Sequence, residues 1–170
     1  MTDQITKIVS ASHLVSERSA ELSEFEFGVT ILSNAFDRWM VRCMRAAGVK
    51  DMTSLEIQIL HHVAHRSTKK RLSDICFVLN IEDTHIVSYA LKKLLKLGLV
   101  DSEKSGKEVL FKSTKDGINL CKKYREVREQ CLIEILVETG IKNESIGDTA
   151  QLLRMLAGVY DQAARASASL

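Results

Sequence analysis

The sequence predicts a mainly α-helical fold with a small β-hairpin wing, in the order of a winged helix-turn-helix flanked by longer helices. Two observations predict it. Between Leu72 and Leu97, two amphipathic helical segments are separated by a short break at 80–82. A hairpin pattern follows, with its tip at 104–107. Two helices at a tight turn, then a hairpin, is the element order that winged helices use to bind duplex DNA.

Length and composition indicate one folded domain with added helices. The chain has 170 residues, 45% of them hydrophobic and 27% charged, and no proline, so little interrupts its helices. We expect an N-terminal arm at 1–22 and a single winged-helix domain at 23–170. Within that domain we expect a DNA-binding lobe at 53–117 and dimerisation helices at 23–46 and 118–166. Without a signal-peptide pattern or a long apolar run, we expect a cytoplasmic protein.

Positive charge is concentrated in the predicted DNA-binding lobe. Residues 52–133 hold 15 Lys and Arg against 10 Asp and Glu, whereas residues 1–51 hold 6 against 7 and residues 134–170 hold 3 against 5. The net charge of +2 is therefore unevenly distributed. A surface that contacts phosphates requires such a concentration.

The first long helix is expected from about Ser23 to Ala46, and it is apolar over much of its circumference. One stripe and a second strip beside it carry this pattern: Phe25, Val29, Leu32, Phe36, Trp39 and Cys43, then Phe27, Ile31 and Ala35. Such a helix is usually buried from more than one side. In a chain of this size, the second side can be a partner subunit.

Local signals place the next helices. Thr53 to Glu56 form a capping box that opens a helix to about His65. Asp83 is a good N-cap for the second helix of the helix-turn-helix. Gly98 fits a left-handed cap, with Leu99 as its hydrophobic partner, and Thr114 is expected to cap a helix running from Lys115 to Glu138.

The helix after Asp83 supplies the candidate base-reading side chains. Its predicted inner face is Ile86, Val87, Ala90, Leu91, Leu94 and Leu95. The predicted base contacts are Thr84, His85, Ser88 and Tyr89, because they can hydrogen-bond and lie at the end that enters the major groove. The predicted DNA-backbone contacts are Lys69, Lys70, Arg71, Lys92, Lys104 and Lys107. Any amphipathic helix has a polar face, however, so this helix alone leaves DNA binding open.

A charged-then-apolar helix at 115–138 and an amphipathic helix at about 145–166 suggest helices that pack across a homodimer.

His61 and His65 have the spacing of two metal ligands, but nothing nearby in sequence completes a set, so no metal or other cofactor is expected. Cys43, Cys76, Cys121 and Cys131 lack metal or disulfide spacing and are expected to be reduced thiols. Redox sensing through Cys43 or Cys121 is an alternative that would require exposure.

These residues resemble the MarR family of bacterial transcription regulators. The matching segments are 52–60, 72–76, Val87 to Val100 and Ser113 to Gly117, in the same element order over roughly 24–140. The resemblance implies a homodimer that binds double-stranded operator DNA, usually as a repressor, with a small-molecule effector as a further partner.

Two positions depart from the family pattern. Tyr89 stands where the family often has an arginine after the serine matching Ser88. The wing of the family usually carries an Asp-x-Arg, whereas this wing has only Lys104 and Lys107. Without an arginine to enter the minor groove, the contact expected of the wing tip is with the DNA backbone.

The alternative function is a winged-helix protein-interaction module without DNA readout. An enzyme is not expected, because the sequence has no phosphate loop, nucleophile motif or complete metal-ligand set.

Overall fold

The structure, a computed structural model, describes residues 12–170. Its elements are α1 (Ala20–Ala46), α2 (Ser54–Ala64), β1 (Lys70–Arg71), α3 (Leu72–Val78), α4 (Thr84–Lys96), β2 (Val100–Ser105), β3 (Glu108–Ser113), α5 (Lys115–Arg128), a π-helical segment (Glu129–Ile133), α6 (Glu134–Glu138) and α7 (Asn143–Ser167). The predicted fold class is confirmed. Of the predicted arm at 1–22, residues 1–11 lie outside the described residues.

The chain divides into two compact units, one ending at Val127 and the other spanning Arg128–Leu170. The core of the first unit lies where α2 packs against α1, α3 and α4. Its largest fully buried side chains come from all four helices and from β2: Met44, Ile57, Ile59, Leu60, Ile75, Leu91, Leu94 and Val100. This core packs α3 and α4, the two helices of the helix-turn-helix, against α2.

The wing belongs to a three-stranded antiparallel sheet in the order β1-β3-β2. Phe111 of β3 pairs with Lys70 of β1 on one side and with Ser102 of β2 on the other. The sequence predicted the hairpin but not β1, because two residues are too few to show an alternating pattern. The basic segment before α3 is therefore an edge strand of the wing sheet.

The predicted helix starts are confirmed. The backbone N–H of Thr53 donates to Glu56 Oε2 at 2.9 Å, and the N–H of Glu56 donates to the Thr53 hydroxyl at 3.3 Å, which closes the capping box. The carboxylate of Asp83 accepts from the N–H of His85 at 2.8 Å. Thr114 Oγ1 accepts from the N–H of Gly117 at 3.0 Å.

The stop after α4 is also confirmed. Gly98 has a φ of +68°, a conformation that favours glycine. The N–H of Leu99 donates to the Leu94 carbonyl at 3.0 Å, and the Leu99 side chain is buried. This is the hydrophobic C-cap that the sequence predicts, and it directs the chain from α4 into β2.

The expected helix from Lys115 to Glu138 has both of its predicted ends, but it is not α-helical throughout. The α-helical pattern ends at Arg128, and Glu129–Ile133 form a π-helical segment before α6. A π turn holds one residue more than an α turn and rotates the following side chains about the axis. The sequence changes from charged to apolar at this point, which predicts two halves of one helix and does not reveal the π turn between them.

The second unit exposes many apolar side chains. Its exposed large hydrophobics are Ile135, Val137, Ile141, Ile146, Leu152, Met155, Val159, Tyr160 and Leu170. None of the helices in residues 12–170 has the length and apolar character needed to cross a membrane.

Candidate nucleic-acid interface

Helix α4 presents one face to the core and the opposite face to solvent. Val87, Ala90, Leu91 and Leu94 are buried and define the inner side. At 100° per residue, the positions about 180° away are His85, Tyr89, Lys92 and Lys96. All four are exposed, and we call them the outer stripe of α4. The stripe combines hydrogen-bonding side chains at its start with positive charge at its end.

The predicted base-contacting residues are distributed unequally around this stripe. His85 and Tyr89 lie on it, and the Tyr89 side chain is 74% exposed. Thr84 is exposed in the first turn, whereas Ser88 lies at the flank and is half-buried. Because Asp83 caps the helix at His85, the first turn is held in place before any partner binds. Contacts of these side chains with bases remain predictions.

Lys93 is not part of the stripe. Its ammonium group donates to Glu56 Oε2 at 2.8 Å and also to the Asp51 carbonyl oxygen. The Glu56 side chain is only 6% exposed, so this lysine neutralises a buried carboxylate. Lys92, its neighbour in sequence, is exposed on the outer stripe. The amphipathic pattern of α4 puts both lysines on its polar side and does not distinguish their roles.

The basic residues around β1 are engaged with the wing. Lys69 forms an ion pair with Glu103 of β2, and Arg71 Nε lies 3.0 Å from Glu108 Oε2 of β3. Lys70 donates to the Thr68 hydroxyl at 2.6 Å. Lys69 lowers the pKa of the Glu103 carboxyl by hydrogen bonding to it. Exposed ion pairs of this kind are weak in water, so phosphates can compete for Lys69 and Arg71.

The wing tip carries the remaining predicted backbone contacts. Lys104 is exposed near the end of β2, and Lys107 is exposed in the two-residue turn at 106–107, where Gly106 has a φ of +62°. Lys104 pairs with Val109 across the hairpin, so the strand fixes its backbone position. The wing tip therefore offers two positive charges, as phosphate contact requires.

The alternative metal and redox sites lack support in the structure. Within residues 12–170, no group of three or more His, Cys, Asp or Glu side chains could hold a metal ion. His61 instead packs its ring edge-on against Tyr124, with centroids 4.6 Å apart, and burial lowers its pKa. Cys43 is buried, and burial raises the pKa of the Cys121 thiol to about 11, the opposite of what a reactive thiol needs.

Ile86 corrects the predicted inner face of α4. The sequence placed it inward, but its side chain is 45% exposed. It lines an open cleft of about 430 Å³ between the first turn of α2 and the first half of α4, together with Leu55, His85 and Tyr89. The sequence gives no sign of this exposure, because an isoleucine next to a buried helix position is indistinguishable from a core residue by type alone.

Comparison with known proteins agrees with this geometry. Residues 52–117 match the family model described as a winged helix DNA-binding domain. Among curated protein sequences, none matches the chain significantly. The class of domain is therefore defined by this match and by the fold: α2 to β3 form a winged helix.

Solved structures extend the likeness beyond that domain. A mutant of Escherichia coli MarR complexed with operator DNA is 17% identical, with a TM-score of 0.66 over 83% of this chain and 99% of that one. Reduced AbfR bound to DNA is 17% identical, with a TM-score of 0.69 over 85% and 98%. A MarR transcriptional regulator from Methanosarcina mazei is 16% identical, with a TM-score of 0.64 over 81% and 96%. The chain has the fold of the MarR regulators, which confirms the resemblance seen in the sequence.

Proposed function

We propose that this protein is a dimeric, sequence-specific DNA-binding transcription regulator that acts as a repressor. The observation that carries the proposal is the outer stripe of α4, with exposed His85 and Tyr89 followed by Lys92 and Lys96 on the helix that follows the tight turn. In a winged helix, this helix enters the major groove with its N-terminal residues against base edges. Lys92 and Lys96 then lie close to phosphates of the DNA backbone.

The roles divide by chemistry. Thr84, His85, Ser88 and Tyr89 read base edges, since their side chains donate and accept hydrogen bonds. Lys92, Lys104 and Lys107 hold position by contacting phosphates. Lys69, Lys70 and Arg71 contribute to the same positive surface. They contact phosphates once they release their present partners, which are Glu103, Thr68 and Glu108. Two of these partners, Glu103 and Glu108, therefore limit the strength of binding to any DNA.

Dimer formation is supported by apolar side chains exposed in each unit separately. In α1, Ile31, Leu32 and Phe36 are each more than half exposed. In α7, Met155 and Val159 are likewise more than half exposed. Clusters of exposed apolar residues on long helices are unusual for a monomer and mark association surfaces. A two-fold dimer would present two copies of α4 about one helical turn of DNA apart, ~34–36 Å.

A small-molecule effector remains part of the proposal. An open cleft of about 560 Å³ lies within the first unit at the end of α1, lined by Val49, Leu99 and Leu120 and by the charged groups of Lys123 and Glu126. Its volume is in the range of ligand pockets. A small molecule that binds in this cleft is expected to change the affinity of the protein for DNA.

Selection of bound sequences from a random pool of DNA duplexes tests the function. We expect enrichment of a pseudo-palindromic site, and binding that weakens steeply with salt in proportion to the phosphates contacted. Failure to enrich any sequence, or binding that salt does not weaken, would contradict the proposal. Co-purification of a protein partner without any DNA binding would instead support the protein-interaction module.

A further inference from the structure

The first half of α4 carries an apolar cleft beside its polar stripe. Ile86, the third residue of the helix, is 45% exposed and forms a wall of the 430 Å³ cleft. Leu55 in the first turn of α2 forms part of another wall, and the Tyr89 ring lines the side nearest the outer stripe. Nearly all of the atoms that line the cleft are apolar. A single exposed apolar side chain is ordinary. Here two exposed side chains, Ile86 and Tyr89, meet the half-buried Leu55 at one cleft, which indicates a binding surface.

A basic cleft adjoins this apolar one on the same helix. It is lined by Tyr89, Lys92, Lys93, Lys96 and Leu97, so the Tyr89 side chain borders both clefts. An occupant that fits the pair must present an apolar group next to negative charge. Along the major groove of duplex DNA, the 5-methyl group of thymine is the apolar group on the base edges, and phosphates line the groove.

We propose that Ile86, Leu55 and Tyr89 bind the 5-methyl group of a thymine and thereby select thymine at one position of each half-site. This inference rests on the proposed DNA-binding function. It assigns part of the sequence preference to van der Waals contact with a methyl group instead of hydrogen bonds. Ile86 is then a specificity-determining residue, although it has no polar atom in its side chain.

The test removes the methyl group from the DNA. Each thymidine of the duplex enriched from the random pool is replaced in turn by deoxyuridine, which keeps base pairing and lacks the 5-methyl group. For the wild-type protein, we expect one thymidine per half-site at which replacement weakens binding about fourfold, the effect of one buried methyl group. Ile86→Ala should bind the two duplexes equally, and Ile86→Val should retain part of the difference.

Val78→Ala is the matched control. Val78 ends α3, is 59% exposed and lines neither cleft, so its truncation removes exposed apolar area outside the proposed site. It should retain the full sensitivity to deoxyuridine. Thermal unfolding of each variant establishes that it is folded.

The failures are distinguishable. Enrichment of a duplex whose binding is unaffected by deoxyuridine at every position would overturn the thymine inference and leave DNA binding intact. The same holds if Ile86→Ala keeps the wild-type sensitivity to the methyl group. If no duplex is enriched at all, both the inference and the proposed function are wrong.

Discussion

At the scale of single residues, Glu56 joins the start of α2 to α4. Its carboxylate accepts hydrogen bonds from the Thr53 backbone and from the Lys93 ammonium, and Lys93 also donates to the Asp51 carbonyl. Because Glu56 is nearly fully buried, its charge depends on these donors for compensation. The pair therefore helps to fix the orientation of α4 relative to α2.

Replacing Lys93 with methionine should destabilise the fold strongly. The variant keeps the length of the side chain but leaves the Glu56 carboxylate buried without its partner charge, which costs roughly 3 kcal/mol or more. The measurement is urea unfolding at neutral pH. Lys92→Met is the matched control, and it should change stability by less than about 0.5 kcal/mol because Lys92 is on the surface. Equal stabilities of the two variants would show that the ion pair has no structural role.

His61 makes the stability of the fold depend on pH. Burial lowers its pKa in the folded state below the ordinary value near 6.5, so the unfolded chain binds its proton more readily. Stability should therefore fall as pH falls below about 6.5, and the loss should level off below the folded-state pKa.

Unfolding of His61→Phe, measured between pH 5 and 8, checks this prediction. Phenylalanine keeps a ring against Tyr124 but cannot take up a proton, so the variant should show a smaller loss of stability at low pH than the wild type. Burial also lowers the pKa of His62, which is present in both proteins, and the difference between them isolates His61. Unchanged pH dependence would contradict the account.

At the scale of elements, the junction between wing and α5 requires a glycine. A Cβ atom on Gly117 would collide with the Leu99 carbonyl oxygen and the Ser113 hydroxyl group. These two atoms are also joined by a hydrogen bond of 3.4 Å. The end of α4, the last strand of the wing and the start of α5 therefore meet with no room for a side chain.

Gly117→Ala should destabilise the protein by roughly 2 kcal/mol or more, because it forces apart backbone that is already in contact. Gly147→Ala in α7 is the control. A Cβ there meets nothing within 4 Å, and the change should be neutral or stabilising by about 0.5–1 kcal/mol. Thermal unfolding of the two variants distinguishes the effect of this junction from a general effect of glycine replacement.

Features set by local chemistry were predictable from the sequence. The caps at Thr53, Asp83, Gly98 and Thr114 each depend on residues within five positions, and all four are confirmed. Hydrophobic periodicity placed the buried side of α4 correctly except at Ile86. Features that depend on distant residues were not predictable. Strand β1 exists only through its pairing with β3. The structural role of Lys93 comes only from its ion pair with Glu56, 37 residues away in sequence.

At the scale of the whole molecule, we expect a dimer that depends on the exposed face of α1. Leu32→Glu places a charge among side chains that the proposed interface buries, so it should dissociate the protein into monomers and weaken binding to a two-half-site duplex. Sedimentation equilibrium measures the first effect. Leu97→Glu introduces the same charge at a similarly exposed apolar position away from α1, and it should remain a dimer. A wild-type protein that is monomeric at micromolar concentration would contradict the dimer proposal.

In the proposed function, α4 reads the DNA sequence, whereas the wing only holds the protein in position. Fluorescence anisotropy titrations of the enriched duplex and of a scrambled duplex, over a range of salt concentrations, test this division of roles. Tyr89→Ala should weaken binding to the enriched duplex roughly tenfold and leave the scrambled duplex nearly unaffected. Lys107→Ala should weaken both and reduce the salt slope by about one unit. Equal loss on both duplexes for Tyr89→Ala, or no loss on either, would contradict the claim that this helix reads DNA.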